Sequence, residues 1–315
     1  MRCHSRMAFR IVAPLFVLLF ACTSGDSTAP ERTNPAPIAG ADATSTVTVG
    51  SFDFAESELL AELYSQALEG GGYAVRRAFN LGPREFVAPA LARGLVDLVP
   101  EYTGTALQFL SLGRAQPGAD PAAAREALVQ ALAGTGVTAL EAAPAQDANT
   151  FVVTRETAER LGLRRLSDLA AAAPGLTFGG SPECATRPLC IVGLERVYAV
   201  RFKEVVALDA GGPLSLQALR AGAVDVALLF TTDPTVAEGT LVELADDKAL
   251  QPAENVIPLM RTAVVDRGGA RLVELVDGVS RHLTTDEVRG LNRLVADGGG
   301  VRAVATTWLA SKGLG

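Results

Sequence analysis

The sequence predicts an α/β protein of two similar lobes, each a doubly wound and mostly parallel sheet, with a cleft between the lobes. The first observation is a repeat. Residues 90–105 (ALARGLVDLVPEYTGT) and 218–231 (ALRAGAVDVALLFT) share the frame A-L-x-x-G-x-V-D, followed by an aromatic residue and Thr. The second is that predicted strands alternate with predicted helices, which is typical of parallel sheets. The third is the length of 315 residues, which suffices for two domains of ordinary size.

The shared frame has a simpler interpretation, because A-L-x-x-G-x-V-D is also a common way to encode a helix, a turn and a strand. The order of the other features favours a duplicated lobe. Each half has a strand that ends in Gly-Ser (Gly50-Ser51 and Gly180-Ser181), then a strand that leads into a Gly-Pro loop, then a strand that ends in an aromatic residue and Thr. Ligands bind beyond the carboxyl ends of strands in open α/β sheets, so these strand ends predict a binding cleft.

The N-terminal segment has the pattern of an export signal. Three arginines precede the apolar run 11–20, which is too short to span a bilayer. The sequence LFAC at 19–22 resembles the lipobox of bacterial lipoproteins, which predicts a lipoprotein signal peptide over residues 1–22 and lipidation of Cys22. A plain signal peptide with an incidental cysteine is the alternative. Residues 23–45 are rich in Ser, Thr, Ala and Pro without periodicity, and they predict a flexible linker.

The elements of the first lobe follow from periodicity and from glycine stops. Leu59, Leu60 and Leu63 have helical spacing, and a run of three glycines from Gly70 ends that helix. The predicted elements are the strands Val47–Gly50, Val75–Phe79, Val96–Val99 and Val137–Glu141 and the helices Glu56–Leu68, Arg84–Ala92 and Ala122–Leu132.

The second lobe is predicted to repeat this alternation, and the chain then returns to the first. Its predicted elements are the strands Phe151–Thr154, Thr177–Phe178, Val205–Leu208 and Val224–Leu229 and the helices Ala158–Leu163 and Leu166–Ala172. Apolar segments at Leu241–Leu244, Val256–Leu259 and Thr262–Val265 follow, then helices around Leu272–His282, Thr285–Ala296 and Trp308. Because so long a tail would unbalance the second lobe, we assign residues 46–147 and 255–315 to lobe 1 and residues 148–254 to lobe 2.

Composition argues against several classes of function. The net charge of −7 and the absence of a basic run exclude the dense positive surface that nucleic acid requires. The chain has two histidines, His4 in the predicted signal and His282, which leaves no basis for a multi-His metal site or a His-dependent catalytic triad. The sequence therefore predicts a binding protein without metal or cofactor, and an enzyme on the same scaffold is the rival interpretation.

The predicted strand ends carry hydroxyls, carboxylates and aromatic rings that can surround a small ligand. They are Ser51, Asp53, Tyr102, Thr103, Thr105, Ser181, Thr231, Thr232 and Asp233. Aromatic faces attract a cation, and hydroxyls with helix N-termini bind an anion, so a zwitterion with a quaternary ammonium head suits the set. The alternative for each Asp and Ser is that it caps the N-terminus of a helix.

Cys184 and Cys190 flank the sequence Ala-Thr-Arg-Pro-Leu, and in an exported protein they predict a disulfide. Closing so small a loop adds stability on the order of 2 kcal/mol. The predicted role of the disulfide is therefore to hold Arg187 at the mouth of the second lobe, where its planar guanidinium can bind a carboxylate. A solvent-exposed loop arginine is the alternative.

Six segments resemble the osmoprotectant-binding family of ABC-importer receptors, the glycine betaine, choline and carnitine binding proteins of the OpuBC, ProX and OsmF kind. They are GSFDFAESELLAELY, FNLGPREFVAPAL, LVDLVPEYTGTAL, SPECATRPLCIVGL, LDAGGPLSLQAL and VDVALLFTTDP. The resemblance covers nearly all of residues 47–315, in order. It implies a two-lobed type II periplasmic-binding-protein fold that closes on its ligand and docks on a membrane permease.

The resemblance also assigns roles to individual residues. It implies that Tyr102, in EYTGT, is a tyrosine of the ligand cage. It implies that Thr105 and Arg187 meet the carboxylate of the ligand. Asn149, at the predicted crossing between the lobes, completes the predicted ligand-binding set.

At four positions the chain departs from the family. Phe151 and Phe230 fall on cage positions that are Tyr in well-known betaine binders, and Leu216 falls on the fourth cage position. Phe52 falls where those proteins often have a Lys that helps to hold the carboxylate. Three aromatic cage positions still favour a cation, but glycine betaine, choline, carnitine and a larger thiol-derived betaine all stay open as ligands.

The function that the resemblance implies is that of an exported, monomeric receptor, lipid-anchored at the outer face of the cytoplasmic membrane. The receptor would close around a cationic or zwitterionic solute and pass it to an ABC permease driven by a cytoplasmic ATPase. A receptor that reports its ligand to a sensor is the other binding function that the sequence leaves open.

Overall fold

The computed structural model describes residues 46–115 and 118–314. The predicted signal peptide with its lipidation site and the predicted linker lie outside these residues. Within them, the chain forms two five-stranded sheets, each packed against helices. No helix in the described ranges is both long enough and apolar enough to cross a membrane. The same ranges contain no group of three or more side chains that could hold a metal ion.

The elements alternate along the chain as the sequence predicts. The strands are β1 (Val47–Gly50), β2 (Val75–Ala78), β3 (Leu98–Tyr102), β4 (Val137–Ala139), β5 (Asn149–Thr154), β6 (Thr177–Gly180), β7 (Glu204–Ala207), β8 (Val226–Phe230), β9 (Leu241–Glu243) and β10 (Val256–Arg261). The helices are α1 (Ala55–Gly70), α2 (Arg84–Ala92), α3 (Thr103–Leu110), α4 (Pro121–Leu132), α5 (Arg155–Leu161), α6 (Leu169–Ala172), α7 (Ile191–Tyr198), α8 (Pro213–Arg220), α9 (Pro234–Ala237), α10 (Thr262–His282), α11 (Thr285–Ala296) and α12 (Val301–Lys312).

The two sheets have the same topology, and we call each sheet with its helices a lobe. The strand order is β2-β1-β3-β10-β4 in lobe 1 and β7-β6-β8-β5-β9 in lobe 2. In lobe 1, β10 is antiparallel to both of its neighbours, and the other four strands run in one direction. In lobe 2, β5 is likewise the one strand antiparallel to its neighbours. The predicted mostly parallel sheets are therefore confirmed.

The repeated frame has the same structural role in both lobes. The N–H of Thr48 donates to Asp97 Oδ2 at 2.9 Å, and the N–H of Thr177 donates to Asp225 Oδ2 at 2.9 Å. Each Asp thereby ties the start of the third parallel strand to the first. The glycine of the frame ends the preceding helix with a positive φ, 74° at Gly94 and 69° at Gly222 in the second copy, where a side chain would be strained.

Two connecting segments join the lobes side by side. Gln146 and Asn255 form an antiparallel bridge, and the N–H of Asp147 donates to the carbonyl of Glu254 at 2.9 Å. The first segment leads from β4 into β5, and the second leads from β9 back to β10. Two adjacent strand-like connections are the kind of link about which lobes can rotate.

The structure differs from the predicted elements at several places. Strand β3 extends to Tyr102, and Thr103–Leu110 forms a helix directly after it, which the sequence analysis did not predict. The segment Thr262–Val265, to which the sequence analysis assigned no secondary structure, is the first turn of α10. Its Val264 is buried with Leu272 against the lobe 1 core, so helical packing outweighs the preference of β-branched residues for strands.

Candidate functional site

A cavity of about 320 Å³ lies between the lobes, at the carboxyl ends of the parallel strands. Lobe 1 contributes one wall and lobe 2 the other. The lining side chains include Phe52, Asp53, Phe54, Arg84, Glu85, Tyr102, Thr105, Asp147, Asn149, Glu183, Arg187, Phe230 and Glu254. A volume of this size suits a small organic solute.

Phe54 is the centre of an aromatic cluster that bridges the two lobes. Its ring centroid lies 6.2 Å from that of Tyr102 and 5.5 Å from that of Phe230. Phe52 stacks against it at 5.9 Å with an angle of 4° between the rings. Phe54 is half-buried, so one part of the ring stays open to the cavity. Several ring faces around one space attract a cation and exclude water from it.

A buried network of oxygen atoms holds Tyr102 from behind. Its hydroxyl donates to Glu56 Oε1 at 2.7 Å, and Glu56 Oε2 accepts from Asn292 Nδ2 at 2.6 Å. Thr232 Oγ1, from lobe 2, contacts both Glu56 Oε2 and Asp147 Oδ1, the latter at 2.8 Å. A hydroxyl has one proton to donate. The Thr232 hydroxyl can therefore donate to one of the two carboxyls, and it accepts from the other only where that carboxyl carries a proton.

The surroundings of Asp147 favour a proton on that carboxyl. Burial, followed by the nearby charge of Glu56, raises the pKa of Asp147 well above its usual range. Burial also raises the pKa of the Tyr102 hydroxyl, so this hydroxyl stays a donor. The network fixes the ring of Tyr102 and joins lobe 1 to lobe 2 at the back of the cavity.

A buried ion pair supports the floor of the cavity. Arg84 Nε and Nη2 donate to the two oxygens of Glu101, both at 2.8 Å. Arg84 Nη2 also donates to Thr105 Oγ1 at 3.0 Å, and the guanidinium carbon lies 5.2 Å from the centroid of Phe52. Both charged side chains are less than 10% exposed, at 9% and 5%. Arg84 therefore positions Thr105 and Phe52 while its own charge is balanced by Glu101.

Arg187 lies on the loop between Cys184 and Cys190, which are bonded to each other as the sequence predicts. Its Nη2 donates to Glu85 Oε2 at 3.0 Å and to Glu85 Oε1 at 3.3 Å. Glu85 belongs to lobe 1, so this pair crosses the mouth of the cavity. Both side chains are more than a third exposed, so the pair adds little stability but fixes which group faces Arg187.

Glu254 is a buried carboxyl in the cavity wall. Its Oε2 accepts from the N–H groups of Gly104 and Thr105 at 3.0 and 3.1 Å, at the start of α3. Burial raises its pKa to about 8, against the opposing effects of the Thr105 N–H, the charge of Arg84 and the Gly104 N–H.

This pKa predicts a loss of stability with rising pH. The folded state holds the Glu254 proton up to about pH 8, whereas the unfolded state releases it near 4.5. The contribution of Glu254 to the free energy of unfolding therefore falls as pH rises from about 4.5 to about 8 and is constant above that range. At ~1.4 kcal/mol per pKa unit, the total loss is on the order of 5 kcal/mol.

Glu254→Gln should remove that loss, so the variant gains stability over the unsubstituted chain as pH rises from about 5 to about 8. Urea unfolding at several pH values measures the difference. Asp147 titrates in both proteins and cancels in the comparison. Glu183→Gln, which changes a half-buried carboxyl of the same cavity, is the control. Parallel curves for Glu254→Gln and the unsubstituted chain would contradict the prediction.

Of the predicted ligand-binding residues, eight line the cavity. They are Phe52, Asp53, Tyr102, Thr105, Asn149, Ser181, Arg187 and Phe230. Phe151 and Leu216, predicted as cage positions, do not line it. Phe151 is 1% exposed and packs against Phe178 in the lobe 2 core, because it lies two residues further along β5 than Asn149. Leu216 packs from α8 against the core around Leu219.

The other predicted residues have local structural contacts. Ser51 Oγ accepts from the Asn80 N–H at 2.8 Å. Thr103 Oγ1 donates to the carbonyl of Asn255 at 2.9 Å. Thr231 Oγ1 accepts from the Ala148 N–H at 3.0 Å, and Thr232 belongs to the buried network behind Tyr102. Asp233 caps α9 by accepting from the Thr235 N–H at 2.7 Å, the alternative role that the sequence left open.

Six of the lining residues named above were not among the predicted set: Phe54, Arg84, Glu85, Asp147, Glu183 and Glu254. Phe54 had a usable signal, since it follows Phe52 in the loop after a predicted strand. Asp147 and Glu254 lie on the two segments that join the lobes. Such segments carry no periodic pattern, so no feature of the sequence singles out these residues.

The fold and the site together define a class of protein. Two α/β lobes with adjacent connecting segments and an aromatic-lined cavity between them form a solute-binding receptor of the kind that closes around its ligand. Its family is that of the substrate binding domain of ABC-type glycine betaine transport systems, whose model matches residues 45–311. The chain belongs to this family.

Two relatives are similar over most of their length. A glycine-betaine-binding protein of Pseudomonas aeruginosa is 29% identical over 270 residues, which cover 82% of this chain and 84% of that protein. The glycine betaine-binding protein YehZ of Escherichia coli is 28% identical over 286 residues, 86% of this chain and 92% of that protein.

Solved structures confirm the two-lobed fold. The crystal structure of a glycine betaine/carnitine/choline ABC transporter protein matches with a TM-score of 0.67 and 24% identity, over 85% of this chain and 99% of that chain. Ligand-free YehZ from Escherichia coli matches with a TM-score of 0.60 and 25% identity, over 86% of this chain and 100% of that chain.

Proposed function

We propose that this chain is the receptor of an ABC importer that binds a small quaternary ammonium or betaine-type solute between its lobes. The observation that carries the proposal is the cluster of Phe54, Tyr102 and Phe230, which borders the cavity from both lobes. A quaternary ammonium head cannot donate a hydrogen bond, so ring faces are the groups best suited to bind it. The names of the two relatives, both for glycine betaine, support this ligand class.

The cage is complete only when the lobes are together. Phe54 and Tyr102 belong to lobe 1 and Phe230 to lobe 2, so a ligand between the rings favours the closed arrangement. We place the hinge at the two connecting segments, near Asp147 and Glu254. The closed receptor would then deliver its solute to a permease that a cytoplasmic ATPase drives, without chemical change of the solute.

The sequence supports a place for this receptor outside the cytoplasm. The export signal and the cysteine at its end suggest that Cys22 becomes the lipidated first residue of the mature protein. Residues 23–45 would then tether a monomeric receptor to the outer face of the membrane. Intact-mass analysis of the mature protein tests the lipid on Cys22.

Thermal unfolding with candidate ligands tests the proposed function. Choline or glycine betaine at millimolar concentration should raise the unfolding midpoint, because a ligand at 100 times its dissociation constant adds about 2.7 kcal/mol of stability. Ethanolamine and glycine, which lack the methyl groups, are the matched controls and should give no shift. The proposal fails if no quaternary amine shifts the midpoint, or if the controls shift it equally.

A further inference from the structure

Helix α11 belongs to lobe 1 but reaches across to lobe 2. Its Val288 is buried in the core of lobe 1. Arg289, Asn292 and Arg293 have the spacing i, i+3 and i+4, which places them on one face of the helix. All three donate hydrogen bonds to residues 231–238, the segment of lobe 2 that follows β8. The helix therefore joins the lobes at a second place, away from the pair that crosses the mouth of the cavity.

The two arginines hold this segment mainly by its backbone. Arg289 Nη2 donates to the carbonyl of Thr231 at 3.1 Å, and Arg293 Nη2 donates to the carbonyl of Pro234 at 3.0 Å. Arg293 Nη1 also donates to Glu238 Oε1 at 2.7 Å. Hydrogen bonds from a guanidinium are stronger than those between neutral groups. We call these contacts of Arg289 and Arg293 the α11 clamp.

The clamped segment is continuous with the cavity wall. Thr231 directly follows Phe230, whose ring centroid lies 5.5 Å from that of Phe54 in lobe 1. The N–H of Thr231 donates to the carbonyl of Ala148 at 3.0 Å, so the segment is also tied to the first connection between the lobes. The two arginines are not among the residues that line the cavity. They can therefore affect a ligand only through the position of Phe230 and of lobe 2.

The clamp is suited to contacts that form and break as the lobes move. The side chains of Arg289 and Arg293 are 31% and 43% exposed, so water competes for each contact. Arg289 Nε is buried and has no hydrogen-bond partner within residues 46–115 and 118–314. A buried donor without a partner costs free energy, which offsets part of what the other nitrogens contribute. The clamp therefore biases the lobes without locking them together.

We propose that Arg289 and Arg293 are positioning residues that hold lobe 2 on lobe 1 in the arrangement that completes the aromatic cage. They set the affinity and the residence time of the solute without touching it, because the apparent affinity scales with the fraction of the receptor in the binding-competent arrangement. This inference rests on the proposed function only in assuming that the solute binds between the lobes.

Pulsed electron paramagnetic resonance on the ligand-free protein tests the clamp directly. Spin labels carried by a non-natural amino acid at two exposed positions, Glu126 in lobe 1 and Glu159 in lobe 2, report the distance between the lobes and leave the disulfide undisturbed. The double variant Arg289→Met with Arg293→Met should shift the distribution to longer distances. Methionine keeps an apolar stem but cannot donate a hydrogen bond.

The matched control is Arg271→Met with Arg281→Met, on α10. Arg271 Nη2 donates to the carbonyl of Gly71 at 3.3 Å, and Arg281 Nη1 donates to Glu141 Oε2 at 3.1 Å. Both contacts lie within lobe 1, and the control removes the same two positive charges as the clamp variant. It should keep the distance distribution and the ligand affinity of the unsubstituted chain.

Calorimetric titration and stopped-flow kinetics with choline and glycine betaine measure the effect on binding. The clamp variant should bind each ligand roughly tenfold more weakly, through faster dissociation at an unchanged association rate. Asn292 stays unchanged in every variant, because its side chain also donates to Glu56 behind Tyr102. A merely structural role would lower the stability of the ligand-free protein in urea and leave the dissociation rate as it is.

The outcomes separate this inference from the proposed function. An unchanged distance distribution in the clamp variant overturns the inference, and so does an unchanged dissociation rate. An equal effect in the control variant also overturns it, because the cause would then be net charge. Tighter binding by the clamp variant overturns it as well, since the contacts would then favour separated lobes. If neither ligand binds the unsubstituted chain, the proposed function fails, while the distance distribution still decides the role of the clamp.

Discussion

Phe54→Ala should weaken the binding of a quaternary ammonium ligand by roughly 30- to 100-fold. Phe54 is the ring that touches every other member of the cluster, with centroids at 5.9, 6.2 and 5.5 Å from Phe52, Tyr102 and Phe230. A desolvated cation–π contact contributes about 2 kcal/mol or somewhat more, which corresponds to this range of affinity. The loss should be larger than that from any one of the outer rings.

The matched control is Phe86→Ala, in the first turn of α2 in lobe 1. Phe86 is 66% exposed and does not line the cavity. Its removal takes the same atoms from the same lobe and should leave affinity unchanged. Calorimetric titration of both variants with choline measures the effect. If the two variants bind choline with equal affinity, Phe54 does not contribute to ligand binding.

The sequence contained enough information for the fold because the fold repeats. The frames around Asp97 and Asp225 each encode a helix, a glycine stop and a strand, and their aspartates make the same hydrogen bond in each lobe. Periodicity also located α1 and α2 to within two residues. Local pattern and tertiary structure agree in these elements, which is why they could be predicted.

The site was less predictable because side-chain direction decides it. Tyr102 and Phe151 are both aromatic residues of strands at the predicted cleft, yet Tyr102 ends its strand and Phe151 lies inside one. A side chain one position further along a strand points to the opposite face of the sheet, and one two positions further points to the same face but lies deeper in the lobe. A shift of one or two residues therefore decides whether a side chain lines the cavity or packs in the core. Sequence spacing alone could not place Phe151 beside Phe178.

Groups that need a distant partner were also beyond the sequence. In the sequence, nothing distinguishes Arg84 from the other arginines; the structure shows that its Nε lies 2.8 Å from Glu101 Oε1. Glu254 is recognisable as a site residue only from its hydrogen bonds to α3, where Gly104 lies 150 residues earlier in the sequence. Charged residues are expected on the surface, and the structure is needed to show which of them are buried.

Arg84→Met should destabilise the protein by about 3–5 kcal/mol, because it leaves the buried carboxylate of Glu101 without its partner. Methionine keeps the apolar stem in place, so the change removes the charge with little loss of packing. At roughly 2–4 °C per kcal/mol, the thermal midpoint should fall by about 10 °C. Urea unfolding measures the free energy directly.

Two comparisons make the prediction specific to burial. Arg201→Met breaks the ion pair between Arg201 and Glu195, whose side chains are 76% and 47% exposed, respectively. This change should cost less than about 1 kcal/mol of stability. The double variant Arg84→Met with Glu101→Leu removes both charges and should recover a large part of the loss, because an apolar pair needs no charge partner. If Arg84→Met costs no more than Arg201→Met, the ion pair does not stabilise the floor of the cavity. If Arg84→Met costs several kcal/mol and the double variant recovers them, then Arg84 and Glu101 stabilise the protein by neutralising each other's buried charge. The same neutralisation keeps Arg84 from acting as a free anion receptor beside Thr105.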